Sequence, residues 1–241
     1  MRAYAALIKD LGGPHAVSQP VTARSNRELI GSLQALPADT GAVYLAHTDP
    51  ERGFVAQRAL SEAGGPPLIT DQDTTAIGLT AELLTALMRA GRQLATSYVV
   101  VAGADAMPNL CPLLMAAGIR DIGIWKQADA AVLPLAQAIQ GADAVIDVRD
   151  RASSPHDSGI DGPSVVVAPN DPTCSIVAVP GLLRAVVDAA NPRMDVGVYG
   201  ACAHALVMAT PADRCLPAPD LALTDSVAWA TAQALKHDPG T

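Results

Sequence analysis

The stretch 66–125, PPLITDQDTTAIGLTAELLTALMRAGRQLATSYVVVAGADAMPNLCPLLMAAGIRDIGIW, constrains the fold of this chain most. It reads as a short apolar run, a polar loop, a long helix, the strand YVVVA, a tight turn, a second helix and the strand DIGIW. YVVVA is apolar without alternation, the mark of a strand covered on both faces of a parallel sheet. A helix between two such strands requires a right-handed crossover. One Phe, two Trp and four Tyr leave the core to be built from Ala, Val, Leu and Ile, which suits helices on a parallel sheet.

The flanking segments extend this alternation. Helices are expected at 26–35, with Ser25 or Asn26 as cap, and at 54–63, stopped by Gly64, Gly65, Pro66 and Pro67. Strands are expected at 41–46 and 68–70, and Thr74 or Thr75 is expected to cap a helix reaching Ala90. Beyond the YVVVA strand come a helix at 110–117, a strand at 121–125, a helix at 130–140 and a strand at 142–148. The polar segment 149–163 reads as a mobile loop, followed by a strand at 164–168 and helices near 181–190, 195–208 and 224–236. The expected fold is α/β: a Rossmann-like parallel sheet flanked by helices with a reduced N-terminal subdomain, divided as 1–40 and 41–241.

The chain has 241 residues and a net charge of −8, and it lacks the basic footprint that a nucleic-acid partner needs. No apolar run is long enough to span a membrane, and the N-terminus has no signal-peptide layout. Four widely spaced cysteines without a CxxC pair read as reduced thiols of a cytoplasmic protein.

Several segments in the same order resemble malic enzymes. ALIKDLGG is similar to that family's VLFKEFAG, SNRELIGSLQAL to its DPEEIVRAVKAL, and AVPGLLRAVVDA to its AFPGIFRGALDA. TGAVYLAH resembles the strand that delivers metal ligands, and DQDTTAIGLTA resembles the DDxxGTA loop that opens a helix. The resemblance implies a Rossmann-type domain, a second domain sharing the active site, and an oligomer.

It also marks what has changed. The family's catalytic lysine aligns with Tyr4, and a phenol does not replace an ammonium as a cationic acid. Of the family's three metal-binding carboxylates, the first two positions hold Ala46 and His47, and the third is Asp71. One carboxylate and an imidazole make a poor magnesium site, so no resident metal is expected. Asn170 is displaced by one position from a substrate asparagine, and Ser175 stands where another is expected.

The nucleotide turn reads Gly103-Ala104-Asp105-Ala106-Met107-Pro108-Asn109 and keeps only the first glycine. Asp105 would face phosphates, and like charges roughly 4 Å apart cost about 4 kcal/mol at an intermediate dielectric. Pro108 lacks an amide donor. Trp125 and Lys126 follow the next strand where NAD enzymes commonly carry an acid; Lys126 suits a 2′-phosphate instead. Gly103, Ala104, Asp105 and Lys126 are therefore the residues that would meet NAD or NADP, with both nucleotides disfavoured.

His47, Asp71 and Asp73, at the ends of neighbouring strands, are the candidate rebuilt polar site, with Tyr4 as a proton donor. His47 and Asp71 suit an acid/base pair, or a borderline metal together with Asp73. The plainer reading is that Asp71 and Asp73 cap the following helix, Tyr4 packs with its hydroxyl at the surface, and Asp105 is a turn residue. Cys174 and Ser175 lie near the presumed cleft, His156 sits in the polar loop, and His204 lies within a helix. The expected function is a malic-enzyme-like protein that has lost malate decarboxylation and holds another small molecule in its cleft as a homo-oligomer. The alternatives are an NAD(P)-dependent oxidoreductase of a small hydroxy acid and a non-catalytic subunit or scaffold.

Overall fold

The computed structural model describes residues 2–149, 165–169, 173–189 and 192–236. Its first part is a small parallel unit. Helix α1 (Arg2–Asp10) precedes α2 (Asn26–Gln34), β1 (Val43–Leu45), α3 (Pro50–Glu62) and β2 (Leu68–Thr70). The two strands pair in parallel, with Leu45 opposite Thr70. Leu29, Leu33, Leu45, Ala56, Leu60 and Leu68 form a separate apolar cluster under this pair. β1 and β2 stand outside the main sheet.

The second part begins with α4 (Asp71–Arg89) and continues through β3 (Tyr98–Ala102), α5 (Leu110–Ala116), β4 (Asp121–Trp125), α6 (Leu135–Ala138), β5 (Ala144–Asp147) and β6 (Val165–Val167). Helices α7 (Thr173–Ile176), α8 (Val179–Asp188), α9 (Val196–Ala209) and α10 (Leu221–Lys236) close it. The four strands are all parallel in the order β4-β3-β5-β6. The chain moves from β3 outward to β4 and then returns across β3 to β5. The connection thus reverses direction between β3 and β5, where open α/β sheets bind ligands at their carboxyl ends.

Strand alternation explains the layers. Val99, Val101, Ala144 and Ile146 face the main core with α4, while Val100, Ala102, Val145 and Trp125 face a smaller cluster beside α6. Thirteen of the nineteen residues of α4 are buried, so this helix is an axis of the core rather than a surface cover. Among the described residues no helix is long and apolar enough to cross a membrane.

Several helices depart from the sequence expectation. Helix α4 starts at Asp71, three residues or more before the expected start, because Thr70 and Asp73 form a reciprocal capping box. Helix α3 starts at Pro50 because Asp49 accepts from the amides of Glu51 and Arg52. The expected helix at 130–140 shrinks to Leu135–Ala138, since Pro134 is extended at ψ 143° and disfavours helix in the residue before it. Helix α1 was not expected from the sequence; its Ile8 joins the main core. Most of the polar segment, residues 150–164, lies outside the described residues.

Candidate functional site

The parallel register of β1 and β2 brings His47 and Asp71 together, each just past its strand. The His47 amide donates to Asp71 Oδ2 at 2.8 Å. His47 has φ +59°, the one described non-glycine residue in the left-handed region. Holding a side-chain-bearing residue there costs about 1–3 kcal/mol, so the surrounding bonds must fix it. Gln72 adds to this by donating from Nε2 to Thr48 O at 2.7 Å. The contact between His47 and Asp71 runs through the backbone amide; no ion pair between imidazole and carboxylate is present among the described residues. The expected side-chain pair therefore takes another form: the carboxylate holds the loop that carries the imidazole.

Asp71 is also the first residue of α4, where its charge complements the helix dipole. Its second oxygen, Oδ1, is buried and has no hydrogen-bond partner. Tyr4 meets the His47 ring edge-on at 6.0 Å and 84°, and lies 6.3 Å from the Tyr44 ring. The Tyr44 hydroxyl pairs with Thr74 Oγ1 at 3.2 Å. Burial pushes this phenol well above its ordinary range, and the nearby Asp71 charge adds to the effect. Tyr44 therefore stays protonated and packs behind Tyr4.

The opposite wall is α7. Cys174 Sγ lies 3.8 Å from Thr75 O. This approach needs Gly78, because a Cβ there would lie 2.6 Å from Cys174 Sγ and closer still to the Cys174 carbonyl oxygen. The result is a cavity of about 200 Å³ lined by Tyr4, His47, Asp71, Thr75, Pro169, Cys174 and Ser175. Sequence reasoning named five of these seven; Thr75 and Pro169 were missed. The glycine inside the helix pattern of α4 was the available signal for close approach by another segment.

Asp73 is not part of this wall. It is 4 % exposed. Oδ2 accepts from Thr70 N at 2.9 Å, Thr70 Oγ1 at 2.8 Å and Gln57 Nε2 at 2.6 Å, and Oδ1 accepts from Asn109 Nδ2 at 2.7 Å. Tyr199 hydrogen-bonds the same carboxylate, and its phenol is raised well above the ordinary value by burial first and by the Asp73 charge second. Asp73 follows the plainer reading, a cap and a junction between α3, α4, α5 and α9. His204 is exposed on α9, and His156 and Asn170 lie outside the described residues. Among the described residues no group of three or more His, Cys, Asp or Glu is placed to hold a metal.

A second place has the position of a nucleotide site. Gly103 ends β3 with φ +85°, and residues 104–106 form a single tight turn. The turn leads to α5, whose start offers few free donors. Leu110 N–H donates to Met107 O at 3.0 Å, Pro112 has no N–H, and Leu113 N–H donates to Asn109 O at 3.0 Å. Lys126 Nζ sits 3.1 Å from Asp105 Oδ1, so the lysine expected to meet a 2′-phosphate instead offsets the carboxylate expected to repel phosphates. Across the reversal point, Arg149 bonds Asp147 through Nε at 2.8 Å and Nη2 at 2.7 Å. Its guanidinium lies 5.1 Å from the centre of the Trp125 ring, a cation–π distance. A Cβ on Gly103 would lie 3.0 Å from Arg149 Cγ and 3.2 Å from Arg149 N, so the arginine rests directly on the turn.

No protein-family model matches the chain. The NAD-dependent malic enzyme of Geobacillus stearothermophilus is 31% identical over 124 residues, which cover 51% of this chain and 26% of that protein. The matched stretch thus spans about a quarter of that relative's length. Among solved structures, the NAD-dependent malic enzyme of Thermotoga maritima superposes with a TM-score of 0.81 at 17% identity, over 95% of this chain and 76% of that one. The malic enzyme of Entamoeba histolytica gives 0.79 at 18% identity, over 97% and 64%. That of Pyrococcus horikoshii gives 0.79 at 17% identity, over 98% and 70%. With its parallel sheets, flanking helices and ordered sequence likeness, this chain carries a malic-enzyme-like domain.

Proposed function

We propose that this chain is a small-molecule-binding protein of malic-enzyme-like fold. In this reading its ligand site is the cavity of Tyr4, His47, Asp71, Thr75, Cys174 and Ser175, and the family's dinucleotide and malate chemistry has been lost. The observation that carries the reading is the unpartnered, buried Asp71 Oδ1 beside a strained His47 at the end of two parallel strands. Unmet buried acceptors and left-handed side-chain-bearing residues both cost stability, and they collect at functional sites.

Two further observations support the loss of the family chemistry. Magnesium needs several oxygen ligands. The cage positions here offer Ala46, His47 and Asp71, and one Asp71 oxygen is already engaged by an amide. A pyrophosphate needs backbone donors at a helix start, whereas the amides of Leu110 and Leu113 are already engaged, Pro112 has none, and Arg149 packs against Gly103. In this cavity Asp71 orients the loop, and the His47 imidazole and Tyr4 hydroxyl are the groups that exchange a proton with a ligand. The same reading gives a cytoplasmic homo-oligomer, its assembly supported by exposed apolar residues such as Met208 and Trp229.

The test is thermal unfolding with NAD+, NADP+ or malate plus magnesium at millimolar concentration. A ligand at 100 times its dissociation constant adds about 2.7 kcal/mol. For a chain of this size that is a rise of roughly 5–10 °C. No rise is expected. A rise with either nucleotide restores the oxidoreductase reading, which Gly103 at the strand reversal favours. Sedimentation showing a hetero-complex with an active enzyme restores the subunit reading.

A further inference from the structure

Resting on this cavity being the ligand site, we infer that its ligand is a small cation, an alkylammonium whose charge balances Asp71. Among the described lining residues, Tyr4, His47, Thr75, Pro169, Cys174 and Ser175 carry no permanent charge, and neither Lys nor Arg is present. Asp71 supplies the one formal charge of the wall. Its Oδ2 receives the His47 backbone amide on the exposed side of the site.

The start of α4 opposes this charge but does not cancel it. A helix N-terminus carries roughly +0.5 of an elementary charge against the full unit on the carboxylate. The balance is negative. A dicarboxylate in this cavity would add two like charges with no described basic side chain to meet them. An ammonium meets the opposite condition, and Tyr4 supplies an aromatic ring in the same wall, a surface that attracts cations. The volume of about 200 Å³ sets the size. It lies below the roughly 300–1,000 Å³ of pockets for drug-sized ligands, so the ligand is an amine of a few heavy atoms.

The experiment is a set of titrations of the full ¹⁵N-labelled chain, followed through the amides of His47, Gln72 and Thr75. The probes are ethylammonium chloride, ethanol as its neutral counterpart, sodium acetate, L-malate and magnesium chloride, each alone at constant ionic strength. Ethylammonium is expected to bind at least tenfold more tightly than ethanol or acetate. Asp71→Asn is expected to remove that tenfold preference, a change of about 1.4 kcal/mol. Tyr4→Leu is expected to weaken ethylammonium several-fold and leave ethanol unchanged, and the wild-type comparison stands even if either variant misfolds. Acetate or malate binding more tightly than ethylammonium overturns the charge assignment while keeping the cavity as a site. Magnesium alone binding more tightly than ethylammonium overturns it in favour of a metal. Silence of these amides toward every probe removes both this inference and the reading beneath it.

Discussion

Two pairs of parallel strands in this molecule run into the first turn of a helix, and the two junctions are finished in opposite ways. At the ends of β1 and β2, the nineteen-residue α4 begins with a complete capping box, and the cavity beside it retains a carboxylate oxygen without a donor. At the ends of β3 and β5, the seven-residue α5 begins with the Leu110 and Leu113 amides already engaged and Pro112 without one, Arg149 lies against Gly103 and over the Trp125 ring, and Lys126 pairs with Asp105. The first junction leaves an open cavity with a carboxylate in its wall. The second pairs its charged groups with one another. In a fold that places sites at strand ends, the two junctions thus differ in how their polar groups are matched.

The comparison breaks first at Asp73, the residue that makes the α4 junction rigid. Asp73→Ala strands the donors of Thr70, Gln57 and Asn109 in the core. The expected loss is about 3–5 kcal/mol, a fall in Tm on the order of 10 °C. A fall of only a degree or two, measured by circular dichroism, would show that the cap is dispensable. Gly78→Ala comes next, because the new methyl meets Cys174 backbone and sulfur. Overpacking of this kind costs about 2 kcal/mol, and the variant is expected to lose ligand response at His47 because α7 must move away.

Arg149→Ala sharpens the other side. It leaves Asp147 without its guanidinium in a pair whose arginine side chain is 12 % exposed. A cost of about 1–2 kcal/mol is expected, with no gain of NAD+ binding, since the start of α5 offers few free donors. Nucleotide binding by this variant would mean that the arginine alone bars the crevice. Asp71→Asn is expected to change Tm by about 2 °C or less, or to raise it, because a neutral amide relieves the buried charge; a large loss would recast Asp71 as purely structural. The smallest effect belongs to Asp105→Ala, which removes an ion pair with side chains 51 % and 73 % exposed. Such pairs contribute at most about 0.5–1 kcal/mol, and a loss beyond that range would show that the turn at Gly103 depends on the pair.

The strand β3 was legible because YVVVA is a continuous apolar run, and β4 and the helix between them because a glycine turn and polar residues bound them. Helix starts were read late where a cap lies in the preceding strand: Thr70 ends β2 and caps α4 at once. The separation of β1 and β2 from the main sheet was illegible, since apolar pattern marks a strand without naming its neighbour. Tyr4, His47 and Asp71 were brought to one wall by family resemblance and strand-end logic. The division of labour between Asp71 and Asp73, two residues apart on one helix turn, was not readable. It depends on Gln57 and Asn109 arriving from α3 and from the turn before α5. Arg149 was missed for the same reason, because its partners Gly103 and Trp125 come from β3 and β4.

The most direct test compares both junctions in one sample: the full chain crystallised and soaked with NAD+ and ethylammonium together. The account predicts an ordered small molecule between His47, Asp71 and Tyr4, with Arg149 still lying on Gly103. A dinucleotide ordered across Gly103, with Arg149 swung away and the His47 cavity holding only water, contradicts it.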